Sequence, residues 1–250
     1  MATPRVMIYL YAITEEIETP LEAMCGVDFA PLTYLHRGSL TAVVSRVSSR
    51  VLAPTPRRLW QHEQVVEAVM DQYSVLPARF STIVGDEASM TNQLEELSQV
   101  FVDDLERLRG CVELSLRVIR LWEPFAGGNG TPDGACPELV ATEKTGRTFD
   151  VARRAAQAQR RTNRRRNESL GELINRSLAA CALDHRLYVE EGPGVVIKAA
   201  YLVEKSRLGV MQQAVRRLMK TYTNLHFLCT GPWPPYHFVE PIEPIGTMPY

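Results

Sequence analysis

The sequence predicts an α+β protein in two domains, residues 1–110 and 111–250, and three observations carry that expectation. Short β-branched and aromatic runs alternate with stretches whose apolar residues recur every three or four positions, so strands and helices are interleaved. From Cys111 onward the order reads strand, helix, strand, strand, helix, strand. The chain has 250 residues, 45% hydrophobic and 23% charged, enough for two ordinary cores.

The first strand is expected at Val6 to Ile13, a β-branched and aromatic run. Leu32 to Leu35 and Leu40 to Val47 read as a hairpin closed by His36-Arg37-Gly38-Ser39. Thr55 is placed to cap a helix with Pro56 at its first position, and Leu59, Val66, Val69 and Tyr73 form its stripe. Val75 to Val84 is extended, and Pro77, lacking an N–H, favours an edge or a strand start. Met90, Leu94, Leu97, Phe101, Leu105 and Leu108 then predict one helix with acids opposite, stopped at Gly110.

Alternation from Cys111 to Leu121 sets Val112, Leu114, Leu116 and Val118 against Glu113, Ser115 and Arg117, the pattern of a half-buried strand. Glu123 to Pro137, with four Gly and an Asn-Gly step, is expected as a loop. A long helix follows from about Thr142 to Cys181, its apolar stripe (Leu170, Leu173, Leu178) confined to the second half and a kink conceivable at Gly171. Leu183 to Glu190 and Val195 to Val203 form a hairpin around Glu191-Gly192-Pro193-Gly194. The last helix carries Leu208, Met211, Val215, Leu218 and Tyr222 on one stripe, and Asn224 to Cys229 is the last strand. This is the ferredoxin-like βαββαβ order.

Composition excludes several function classes. The net charge is -1, so no global field draws in nucleic acid or an anionic membrane. No run approaches the ~18 apolar residues of a membrane span, and Met1 to Leu10 lacks a signal-peptide core. Cys25, Cys111, Cys136, Cys181 and Cys229 are odd in number and never at CxxC spacing, which predicts reduced, mainly packed thiols in a cytoplasmic protein. GxGxxG, GxxxxGK[ST], HExxH and GxSxG are all missing, and no catalytic residue, metal site or cofactor is expected. His62, beside Glu63, and His226, within a strand, are read as satisfied or solvent-facing rather than as bases. Glu95-Glu96 and Asp103-Asp104 are read as solvated acids.

Two features remain as candidate partner sites. Arg153, Arg154, Arg160, Arg161, Arg164, Arg165 and Arg166 form a run without an acid between Asp150 and Glu168. Guanidinium forks suit phosphate or carboxylate, so the run is an RNA-binding helix, a docking face for an acidic protein, or a solvated face. Against RNA, the second domain lacks the aromatic pattern that stacks bases. The other feature is Thr230-Gly231-Pro232-Trp233-Pro234-Pro235-Tyr236-His237-Phe238, whose prolines stiffen the backbone. It is either a packed cap or a ready contact strip.

Together with Val75-Leu76-Pro77-x-Arg79-Phe80 and the Tyr9-Leu10-Tyr11 strand, the Gly-Pro-Trp-Pro-Pro-Tyr-x-Phe segment resembles the gas vesicle protein F/L family over nearly the whole chain. Ser81 stands where that family usually has Gly, and His237 where Ser is common. The resemblance implies two α+β domains, the second a modified ferredoxin-like fold. It further implies a non-enzymatic accessory protein of gas vesicles, a minor component or assembly factor. The implied partners are the small hydrophobic shell protein and other accessory proteins, in the cytoplasm or at the vesicle wall. Trp233, Tyr236, Phe238, Arg79, Phe80, Arg160, Arg161, Arg164 and Arg165 are the partner-binding candidates. A nucleic-acid-binding module using the Arg153–Arg166 helix is the alternative.

Overall fold

The computed structural model describes residues 6–17, 19–21, 24–120, 146–189 and 195–242. The expected loop at 123–137, with Cys136, and the turn at 191–194 lie outside them.

Five strands form the first sheet: β1 (Met7–Glu15), β2 (Leu32–Arg37), β3 (Leu40–Val47), β4 (Val75–Pro77) and β5 (Ile83–Val84). Their order is β2-β3-β1-β4, with β5 also pairing with β1, and the pairings are antiparallel. β1 has neighbours on both edges and is buried from Met7 through Thr14, which explains its unbroken apolar and aromatic run. Pro77 pairs with Ala12 on the sheet's edge strand, where a missing N–H costs least. Gly38 turns the β2–β3 hairpin with φ 58°.

Helix α1 (Pro56–Gln72) begins as expected, with the Thr55 hydroxyl accepting from Arg58 N at 3.3 Å. Its buried face runs through His62, Val65, Val66, Val69 and Met70 and packs against Tyr9, Tyr11, Val27 and Val43. Leu59, expected on that stripe, is exposed, because the face is turned toward His62. The single helix expected over Met90 to Leu108 is two, α2 (Glu87–Glu96) and α3 (Ser98–Leu108), broken at Leu97. Leu94 and Phe101, seven positions apart, are both buried while Leu97 is 38% exposed, so the break falls on a stripe position that the core does not use.

The second sheet has the order β7-β8-β6-β9, from β6 (Cys111–Arg120), β7 (Asp184–Val189), β8 (Val195–Glu204) and β9 (Leu225–Trp233). Its helices are α4 (Gly146–Ala179) and α5 (Leu208–Thr221). β9 runs past the expected end at Cys229 into the proline segment, tolerated because β9 is an edge strand. In α4 the inward positions are Asn167, Gly171, Ile174 and Leu178, so Leu178 is buried as expected while Gly171 and Ile174 take the places expected of Leu170 and Leu173, and Leu173 is exposed. Gly171 lies within the helix, and Val189, Ile197 and Leu187 crowd to 3.5–3.7 Å from where its Cβ would sit.

The chain separates into two compact units, Met1–Leu114 with Tyr201–Leu208 and Thr230–Tyr250, and Ser115–Ala200 with Gly209–Cys229. A boundary near residue 110 does not describe this division, because the C-terminal segment returns to the first unit. Among the described residues no helix is long and apolar enough to cross a membrane.

Candidate functional site

The three segments that carry the family resemblance meet in the first unit around one histidine. His62 on α1 has no exposed surface, and burial lowers its pKa from 6.5 to about 4, so its imidazole is neutral at pH 7. The Ala78 carbonyl, which only accepts, lies 3.1 Å from His62 Nε2 and assigns the ring proton there. Nδ1 then accepts from the Tyr9 hydroxyl at 3.0 Å, and the Tyr9 oxygen accepts from Ser81 N at 3.1 Å. Phe80 stands edge-on to Tyr9 and His62. From the C-terminal segment the Tyr236 hydroxyl donates to the Glu63 carboxylate at 3.2 Å. Burial, then the Glu63 charge, raises the Tyr236 pKa, and burial raises that of Glu63. A ring with both nitrogens engaged and no solvent face is a joint between segments, as the satisfied reading of His62 expects. His226 is exposed.

Ser81 adopts φ 67°, the left-handed region in which glycine is at ease, which accounts for the glycine usual there. Serine compensates by accepting Leu52 N at its hydroxyl, 3.0 Å away.

The C-terminal segment is clamped rather than free. Glu113, expected to face solvent, is buried and accepts from His237 N at 3.0 Å, with its other oxygen 2.8 Å from His237 Nδ1. Arg107 donates to the Phe238 carbonyl at 2.7 Å. The Gly231–Pro232 peptide is cis, and Gly231 has φ 121° with its Cβ position 2.7 Å from the Glu113 carbonyl oxygen. Of the three aromatic candidates, Phe238 is 3% exposed and belongs to the core. Tyr236 points inward to Glu63. Trp233 remains 38% exposed, its indole N–H donating to Thr230 Oγ1 at 3.2 Å. Arg79 is exposed and Phe80 half-buried.

On α4, Arg153, Arg154, Arg161, Arg164, Arg165 and Arg166 are exposed, and Arg164 pairs with Glu168 at 2.8 Å. The Arg160 side chain lies outside the described residues. Glu95 pairs with Arg37 and Asp104 with Arg107, as solvated acids do. Cys111 and Cys181 are buried, Cys229 is half-buried and Cys25 is exposed; these four are free thiols.

An aromatic knob escaped the sequence reading. In the turn Val27–Phe29, Asp28 and Phe29 both hold left-handed φ, 54° and 60°. Arg58 braces the Asp28 carboxylate at 2.8–3.1 Å, lowering its pKa, and Gln61 Oε1 accepts Asp28 N at 3.1 Å. Val27 N donates to the buried Tyr11 hydroxyl at 2.7 Å. So held, the Phe29 ring is 65% exposed with the Arg57 guanidinium 5.5 Å from its centre, and Trp60, one turn along α1 from Arg57, is 61% exposed. The available signal was Trp60 itself, a large aromatic between Arg57-Arg58 and Gln61, off the Val66–Val69 stripe.

The chain is 29% identical to "Gas vesicle protein L" of Streptomyces sp. (strain CB03234), over 95% of this chain and 94% of that protein. It is 27% identical to "Gas vesicle protein F" of the same strain, over 93% and 99%. Against "Gas vesicle protein L1" of Halobacterium salinarum (strain ATCC 700922 / JCM 11081 / NRC-1) the identity is 24%, over 94% and 90%. In fold the chain is similar to the crystal structure of gas vesicle protein GvpF from Anabaena sp. PCC7120, with a TM-score of 0.72 at 18% identity over 94% of this chain and 96% of that one. GvpF from Microcystis aeruginosa gives 0.71, also at 18%, over 94% and 99%. The family model described as "Gas vesicle synthesis protein GvpL/GvpF" matches residues 7–240, and with nearly the whole chain inside that match, this protein belongs to the GvpL/GvpF family.

Proposed function

We propose that this protein is a non-enzymatic accessory factor of gas vesicle formation that contacts the small hydrophobic shell protein, or other gas vesicle proteins, at or near the vesicle. The observation that carries the reading is a pair of large aromatic rings left in water, Phe29 on a left-handed backbone that costs free energy to maintain and Trp60 on α1. Two such rings, each able to bury about 150–250 Å², offer about 6 kcal/mol of gross apolar burial when their exposed parts are covered. Arg57 and Trp60 are residue types that dominate contact energetics, and Trp233 adds a third exposed aromatic on the same unit. Capture of an apolar shell subunit by a stiff surface loses little entropy and needs no catalytic group. The β7-β8-β6-β9 order also supports a ferredoxin-like second domain, since the first and third strands of that motif lie side by side.

The test is co-purification of the tagged chain from cells making the major shell protein, with nuclease treatment, beside Phe29→Ala/Trp60→Ala and Trp233→Ala variants. Shell protein retained after nuclease and lost from the double variant, with unchanged circular dichroism, is the expected result. Equal capture by the double variant removes the knob from the reading. Recovery of nucleic acid alone returns the question to the α4 arginines.

A further inference from the structure

The near-zero net charge conceals a separation. The unit containing α1 carries 11 Lys and Arg against 19 Asp and Glu, a net charge of -8. The unit containing α4 carries 17 against 10, a net charge of +7. Each unit presents part of its excess charge along one helix. On α1, Glu63, Glu67 and Asp71 follow one another at i, i+4 and i+8, and among the described residues none of the three has an ion-pair partner. Burial, and to a lesser degree repulsion from Glu67, raises the Glu63 pKa. On α4, Arg154, Arg161 and Arg165 occupy i, i+7 and i+11 of one exposed face, likewise without an ion-pair partner among the described residues. Like charges at these spacings weaken a helix on its own. At 1.5 Å per residue the acidic stripe is about 12 Å long and the basic one about 16 Å, lengths that match along paired helix axes.

We propose that copies of this chain associate with one another, the Arg154–Arg161–Arg165 face of α4 on one copy docking on the Glu63–Glu67–Asp71 stripe of α1 on the next. The chain carries both halves of the contact in nearly equal charge, which favours a second copy over an unrelated acidic partner. The contact is heterologous, so each copy keeps one free half and association extends into chains unless a ring closes. Asp71 and the three arginines are exposed and Glu63 and Glu67 half-buried, so the contact is screened by salt. It needs no gas vesicle component, and its test uses the purified full chain alone, so its outcome is separate from that of shell capture.

Sedimentation velocity of nuclease-treated protein from 2 to 100 μM is the measurement. At 20 mM salt the weight-average sedimentation coefficient rises with concentration, and at 500 mM the association is weaker by about tenfold or more. Arg154→Glu/Arg161→Glu/Arg165→Glu is monomeric at 20 mM salt, and so is Glu67→Arg/Asp71→Arg, which spares the Tyr236–Glu63 bond. Mixed at equal amounts, the two variants associate again, because each restores the sign that the other lacks. A monomeric wild type at 100 μM and 20 mM salt overturns the proposal. So does association that survives both reversals, or a mixture that stays monomeric while both variants keep wild-type circular dichroism.

Discussion

Replacing His62 by Gln should change how stability depends on pH more than stability at pH 7. The His62 pKa is about 4 in the folded chain against 6.5 for an ordinary histidine, because burial penalises the imidazolium. For a base whose folded pKa is depressed, the contribution is intact above 6.5 and is lost as pH falls toward 4. A difference of that size is worth about 3 kcal/mol in full, about 2 kcal/mol of which is gone by pH 5. Glu63 acts in the opposite sense, since its raised carboxyl pKa penalises folding more as pH rises. Comparing variant with wild type at each pH cancels Glu63 and isolates His62. Gln retains an acceptor for Tyr9 and a donor for Ala78, so the hydrogen-bonded joint survives in outline. The assay is urea unfolding by tryptophan fluorescence at pH 7.5, 6, 5 and 4.5. Wild type should lose about 2 kcal/mol more than His62→Gln between pH 7.5 and 5. Parallel curves for the two proteins would refute a buried, neutral His62.

Three other outcomes follow from the same unit. Gly231→Ala should cost about 2–4 kcal/mol in urea unfolding, since a Cβ there would lie 2.7 Å from the Glu113 carbonyl oxygen at φ 121°. Ser81→Gly should stay within about 0.5 kcal/mol of wild type, losing the Leu52 bond but relieving the left-handed strain, whereas Ser81→Ala keeps the strain and costs about 1 kcal/mol or more. Gly26→Ala should destabilise by more than about 2 kcal/mol, read as a lowered melting temperature, because its Cβ position overlaps the Tyr11 hydroxyl, which is buried and bonded to Ser45.

The sequence by itself determined the elements and the family. Local patterns, of periodicity for β1, the hairpin β2–β3 and the α5 stripe, of capping chemistry for Thr55 and of a missing N–H for Pro77, locate these elements because each depends on residues a few positions apart. Tertiary structure decided what periodicity does not encode: which side of a marginal stripe turns inward. Leu59, Leu97 and Leu173 are exposed while Glu113 and Asn167 are buried, because partners distant in the chain, His237 for Glu113 and Arg120 for Asn167, satisfy those polar groups. The Gly-Pro-Trp-Pro-Pro-Tyr-x-Phe segment was legible as stiff, but not the destination of each ring. Tyr236 turns to Glu63, 173 positions away, Phe238 enters the core and Trp233 stays in water. The exposed Phe29 needed the fold for the same reason, since Arg58 and Gln61 on α1 grip the Asp28 turn from about thirty positions away and Arg57 lies over the Phe29 ring.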